Sequence, residues 1–544
     1  MTSASTNRKR VLAALALTSA SAFVLAGCAT TDDNGSAGPV TSESIIVGTT
    51  DKVTALDPAG SYDNGSLGVQ VQVFSLLLNS EPGSADLKPD LAESAEYTSD
   101  TEYTVKLKKG LKFSNGNALT ASDVKFSFDR QIAINDANGP AVLLYNLDST
   151  EAVDDTTVVF HLKAANDQIF PNILSTQAGY IVDEDSFSAT ALTPDEDIVA
   201  ADAFDGQYKI TSYDFNNLVS FEANDNYAGL LGAPIAQQVD LKYYTEASNL
   251  KLDIQKGDVD VAYRTLGATD VADLAKDKNV KVITGPGGEI RYITFNFNTQ
   301  PFGATTADAD PAKALAVRKA VADLVDRKTI ASQVYKDTYL PLYSYVPAGF
   351  VGATDALKPL YGDKDGGPDK DAAAKVLKDA GITTPVTLDL QYNPDHYGES
   401  SGDEYALVKS QLEDGGLFAV NLQSTEWVQY SVDRKTDTYP VFQMGWFPDY
   451  ADADNYLAPF FTPASFLINH YDNAEVTDLI GAQAVELDAA TRTADIEKIQ
   501  DLVAADLPTV PLLQGSQIAI TTKDVSGAKL DGSFKFRFGT LVKG

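Results

Sequence analysis

The chain has 544 residues, 44% of them hydrophobic and 22% charged, which excludes wholesale disorder and allows two or three domains around sizeable cores. Acidic residues outnumber basic ones 76 to 42, a formal charge of −34 that repels phosphate backbones and speaks against nucleic-acid binding. One cysteine and three histidines, His161, His396 and His470, exclude an internal disulfide and leave neither a thiolate cluster nor an HExxH spacing for zinc.

In chain order, Arg8, Lys9 and Arg10 precede an apolar stretch from Val11 to Ala26. A basic patch followed by an apolar run shorter than the roughly 20 residues of a membrane span reads as an export signal. It ends in Leu25-Ala26-Gly27-Cys28, with small residues before the chain's sole cysteine, and this resembles the bacterial lipobox. The resemblance implies cleavage after residue 27, lipidation of Cys28, and a flexible polar tether over 28–42. Two acyl chains suffice for stable anchoring, so the working part is expected outside the cell, held at the membrane surface.

Beyond the tether, strand and helix signals alternate. Ile45-Ile46-Val47 is a short β-branched run. Tyr103, Val105 and Leu107 alternate with polar residues, the period of a half-buried strand. Thr120 followed by Asp123 predicts a capped helix start. Asp310-Pro311 opens a helix with the apolar stripe Val317, Val321, Leu324 and Val325. A helix over Asp371 to Ala380 stops at Gly381. A last helix carries Ile496, Ile499, Leu502 and Val503 before Pro508. No repeat of 20–50 residues is evident. The class is mixed α/β.

The order of several blocks says more. Leu56-Asp57-Pro58 and Val73-Phe74-Ser75-Leu76-Leu77 come first, then Leu87-Lys88-Pro89-Asp90-Leu91-Ala92-Glu93-Ser94. Lys109-Gly110-Leu111-Lys112-Phe113-Ser114-Asn115-Gly116 leads into Leu119-Thr120-Ala121-Ser122-Asp123-Val124. Gly206-Gln207-Tyr208 with Asn224 to Tyr227, Gly257-Asp258-Val259-Asp260, and Phe295-Asn296-Phe297-Asn298 follow. Gly445-Trp446-Phe447-Pro448-Asp449-Tyr450 and Asp506 to Leu512 complete the set. From about Glu43 onward the chain resembles the bacterial extracellular solute-binding proteins of family 5, which serve dipeptide, oligopeptide and nickel importers. It is nearest to the oligopeptide-binding type. Tyr97 stands where the family pattern usually has Trp.

The resemblance implies a two-lobed periplasmic-binding-protein-like fold (type II, cluster C) with an inserted domain. Lobe 1 would comprise 43–80, 179–286 and 512–544, the inserted domain 81–178, and lobe 2 287–511. A two-segment hinge would lie near Gly285 to Gly288 and near Pro511 to Gly515, where Gly and Pro can absorb a closing rotation. In the same resemblance Asp449 holds the amino terminus of a peptide by a charge-assisted hydrogen bond. Gly445 and Phe447 offer backbone groups to the ligand, with Met444 in the same strand, and Trp446 walls a side-chain pocket. Trp427 and Arg434, seven apart, stand near the ligand. Arg434 is the first candidate for the ligand's carboxylate and Arg291 the second. Tyr62, Tyr145 and Asn469 sit where family members line the cleft. Asp449, Asp452 and Asp454 lack the Gly and Glu of a calcium loop and read as a solvated acidic loop.

The implied role is capture of peptides for an ABC importer, whose permease and ATPase subunits would be the partners of a monomeric receptor. No catalytic residue, metal or cofactor is implied. Besides a sensor or chaperone that presents ligand to a membrane receptor, two other readings remain open at this stage. One is the same fold with another solute, such as a nickel chelate, haem or an oligosaccharide. The other is a secreted hydrolase built on paired carboxylates.

Overall fold

The computed structural model of the protein describes residues 44–544 except 265, 399 and 464. The leader, Cys28 and the tether lie outside the described residues.

The sequence signals for helix ends correspond to real caps. Thr120 and Asp123 form a reciprocal capping box at the start of helix Ala121–Ile134. The Asp310 side chain accepts from the amides of Ala312 and Lys313 at the start of helix Pro311–Leu324. Val325, expected in that helix's stripe, lies one residue past its end in extended backbone, though it is still buried. Helix Lys370–Asp379 stops before Gly381, whose φ of 67° is the left-handed geometry a helix stop requires. Helix Ala489–Asp506 ends at Leu507, ahead of Pro508.

One eleven-stranded mixed sheet runs through the molecule. Its spatial order begins Phe418–Ser424, Val386–Tyr392, Val441–Trp446, then Val280–Phe295. It continues with Thr509–Thr522, Val261–Tyr263, Ile45–Thr49, Gln238–Tyr243, Leu218–Ala223 and Tyr208–Asp214, and the eleventh strand, Tyr339–Pro341, pairs with Thr509–Thr522 outside this order. A separate four-stranded sheet of Ala92–Ser99, Glu102–Leu107, Thr157–Leu162 and Leu147–Asp154 packs with helix Ala121–Ile134.

Apolar packing is divided along the chain. The largest cluster uses residues between Ile290 and Leu513. A second combines residues from 45–76, 180–261 and 519–541. A third spans Leu77 to Ile181 and contains the four-stranded sheet. The long strands Val280–Phe295 and Thr509–Thr522 pair antiparallel and run from one cluster into another. Their register breaks between Pro286 and Ile290, a bulge that bends the strand and leaves residues unpaired. Glycine is required there by space. A Cβ on Gly287 would lie 2.0 Å from the Gly515 carbonyl oxygen, and one on Gly288 would lie 2.5 Å from both Pro448 and the Tyr456 hydroxyl.

Among the described residues, no helix is long and apolar enough to cross a membrane. No group of three or more His, Cys, Asp or Glu side chains there could hold a metal ion.

Candidate functional site

Strand Val441–Trp446 pairs antiparallel with Val280–Phe295, placing Gly445 opposite Arg291 and Met444 opposite Tyr292. Its ladder with Val386–Tyr392 covers only Val441 and Phe442. Beyond Phe442 no strand among the described residues pairs with that edge, and the Gly445 carbonyl accepts from the Tyr397 hydroxyl at 3.3 Å instead. The chain then leaves the sheet through Phe447-Pro448 to Asp449.

Asn455, in helix Asp454–Phe461, fixes this exit. Its side-chain oxygen accepts from the Trp446 indole at 2.8 Å and from the Asp449 amide at 2.9 Å, and its NH2 donates to the Asp449 carboxylate at 3.0 Å. The other Asp449 oxygen accepts from the Tyr62 hydroxyl. Tyr62 precedes helix Asn64–Val73, whose N-cap Asp63 accepts from the Ser66 amide. Asp449 and Tyr62 therefore meet from parts of the chain 387 residues apart.

Asp449 bonds two neutral donors and, among the described residues, forms no ion pair. Burial pushes its carboxyl above the ordinary aspartate range, and the hydrogen bonds from Asn455 and Tyr62 only partly oppose this. A half-buried carboxylate held in place without a counter-ion among the described residues can pair with a cation that brings its own hydrogen-bond donors.

Asp449 lines a cavity of about 490 Å³ together with Tyr62, Gln177, Trp427, Trp446 and Phe447. A second chamber of about 390 Å³ adjoins it, and Arg264, His396, Tyr397, Phe447 and Phe534 line both. Aromatic rings make much of the wall. His396 stacks on Trp427 with centroids 3.8 Å apart, and Trp446 stands edge-on to Phe466 at 5.4 Å. Burial lowers the His396 pKa to about 4, with Arg291 adding to the effect, so this ring is neutral at physiological pH.

Arg291 faces the second chamber but is fully engaged. Its guanidinium contacts Glu289 at 3.0 Å, Glu404 at 3.2 Å, the Tyr335 hydroxyl at 2.8 Å, the Tyr339 hydroxyl at 3.2 Å and the Tyr397 carbonyl. The two tyrosines close the network by donating to Glu404 at 2.6 Å and Glu289 at 2.7 Å.

The structure brings Tyr62, Trp427, Gly445, Trp446, Phe447 and Asp449 onto one cavity wall. It does not bring the other expected residues there. Met444 is fully buried in the largest apolar cluster and does not reach the cavity. Arg434 is buried against the Phe466 ring, 4.4 Å from its centroid, and donates to the Phe466 carbonyl at 2.7 Å. Asn469 is fully buried and its NH2 bonds the Phe295 carbonyl. Tyr145 is 66% exposed and lies off the cavity. The acidic loop is less solvated than its composition suggests. Asp454 is 5% exposed with a carboxyl raised to about 6 by burial and by Asp452, and Asp452 is gripped by both terminal nitrogens of Arg492 at 2.9 and 2.7 Å.

The wall also uses residues that sequence reasoning did not reach, chiefly Arg264, His396, Tyr397, Phe534 and Lys535. None lies in a block that signals ligand contact, and only the tertiary fold assembles them.

A pair of connected chambers of this size, lined by aromatic rings and a few convergent polar groups, defines a small-molecule binding protein. Residues 86–466 match the model described as bacterial extracellular solute-binding proteins, family 5 (middle), and the chain belongs to that family. The chain is 23% identical to the dipeptide-binding protein DppE of Bacillus subtilis, covering 93% of this chain and 94% of that one. It is 25% identical to the glutathione-binding protein GsiB of Shigella dysenteriae, covering 92% and 95%. Its fold matches the crystal structure of the ABC transporter substrate-binding protein CtaP of Listeria monocytogenes with a TM-score of 0.77, at 24% identity over 92% of this chain and 99% of that one.

Proposed function

We propose that the protein captures short peptides in the two-chambered cavity, pairs their α-ammonium with Asp449, and delivers them to the permease and ATPase subunits of an ABC importer. The observation that carries this reading is the Asp449 carboxylate, positioned on the cavity wall by Asn455 and Tyr62 with no cation of its own. The named ligands of the relatives, a dipeptide and glutathione, both present a free amino group. In this reading residues 43–80, 179–286 and 512–544 form one lobe, 287–511 the other, and 81–178 an inserted domain, which agrees with the division of the apolar clusters. The bulged, glycine-bearing stretch of the two long strands serves as the hinge. Residues 1–27 are the export signal, and lipidated Cys28 holds a monomer to the outer face of the membrane.

Proton linkage tests the reading. The Asp449 carboxyl titrates above the ordinary range when the cavity is empty. An arriving ammonium favours the ionised form and pulls the pKa down. Binding in mildly acid solution therefore releases protons, and affinity falls as pH drops through the raised pKa. Calorimetric titration with free-amine di- and tripeptides near pH 5, in two buffers of different ionisation enthalpy, measures the release. Proton uptake, or no binding of any peptide, would contradict the proposal.

A further inference from the structure

The ligand's other charged end needs a partner, and few cations face the cavity. The five N–H groups of Arg291 are engaged by two glutamates, two tyrosines and a carbonyl. The Lys535 ammonium donates to the Ser175 carbonyl, and burial with nearby Arg537 lowers its pKa to about 7. His396 is neutral. Arg434 is in the core behind Phe466.

Arg264 is different. It follows strand Val261–Tyr263 and lines both chambers. Nε donates to Asp51 at 3.0 Å, and the plane lies over the Phe534 ring at 5.7 Å. These contacts set the fork's direction, yet both terminal nitrogens are without a protein partner among the described residues. The side chain is 22% exposed. The backbone at Arg264 has a φ of 60°, in the left-handed region that non-glycine residues adopt less readily.

We propose that Arg264 receives the C-terminal carboxylate of the bound peptide through Nη1 and Nη2. This rests on the reading that a peptide ammonium sits on Asp449. A planar guanidinium fork matches both oxygens of a carboxylate, and an arginine already oriented by Asp51 and Phe534 loses less freedom on binding. Asp449 belongs to the segment 287–511 and Arg264 to 179–286. The two ends of a zwitterionic ligand are thus held by parts of the chain that pack into different clusters, and ligand length is limited by the span between them. The class selected is short peptides with both termini free.

Calorimetric titration of the wild-type chain with free-acid and C-terminally amidated versions of the same di- and tripeptides tests this without any variant. Amidation is expected to weaken binding on the order of ten- to a hundredfold, the worth of charge-assisted hydrogen bonds. In Arg264→Gln the two versions should bind alike, whereas Arg434→Gln should retain the preference for the free acid. Equal binding of acid and amide to wild type, or an unchanged preference in a folded Arg264→Gln, overturns the assignment of Arg264 while leaving the ammonium site standing. Failure of every free-amine peptide to bind overturns both.

Discussion

Replacing Asp449 by alanine is expected to weaken the binding of a free-amine peptide by about 2–5 kcal/mol, because the ligand's ammonium would be desolvated with no partner. The stability of the empty protein should change far less. In the empty cavity Asp449 is a carboxylate that burial penalises, and two neutral hydrogen bonds only partly compensate it. Asn455 keeps its acceptor role toward the Trp446 indole and the residue 449 amide in the variant, so the turn should retain its shape. Asp449→Asn is the closer control, since it preserves size and hydrogen bonding and removes only the charge. Calorimetry gives the affinity and thermal denaturation the stability. Wild-type affinity in the alanine variant would remove Asp449 from the site.

Replacing Arg291 by methionine is expected to have the opposite balance, costing about 3–5 kcal/mol of folding stability, the usual penalty for deleting one partner of a buried ion pair. Arg291 is 3% exposed and compensates both Glu289 and Glu404, which are themselves 8% and 0% exposed. Without it, both carboxyls would lose a buried counter-charge, and the fully buried Glu404 would be left without a cation beside it. Burial already raises Glu404 even with Arg291 present. A carboxyl with a raised folded pKa binds more protons folded than unfolded, so stability falls as pH rises. The deficit of the variant should therefore be largest at neutral pH and shrink as pH is lowered toward the unfolded glutamate value. Urea denaturation at pH 5 and pH 7 checks both size and sign. An undiminished midpoint at pH 7 would show that the network is not a closed charge cluster.

Much of the local structure is legible because it depends on neighbours in sequence. Thr120 and Asp123, Asp310 and Pro311, and Gly381 are local cap signals, and each stands at a helix end. The block from Gly445 to Asp449 is legible for a different reason: it stands out through the resemblance to family 5, and in the fold it begins in strand Val441–Trp446 and runs out of it. What was not legible is long-range. Nothing local to Arg291 reveals that Glu404, 113 residues away, neutralises it. Arg434 looks like a free cation seven residues after Trp427, but Phe466, whose ring and carbonyl hold it, lies 32 residues further along the chain. Arg264 has no motif at all. Its left-handed backbone, its anchor on Asp51 and its place on the wall of both chambers exist only in three dimensions. Asn455 lies six residues from Asp449 and was passed over because its role depends on the helix doubling back over the turn.

The central claim, capture of a peptide by its amino end, is tested most directly by calorimetric titration of the wild-type chain with one tripeptide in two forms. One carries a free amino terminus and the other is N-acetylated, with all else identical. Acetylation removes the positive charge and leaves the backbone and side chains in place. Binding of the free form with loss of at least tenfold in affinity on acetylation, equivalent to about 1.4 kcal/mol or more, is the predicted result. Equal affinity for the two forms would contradict it.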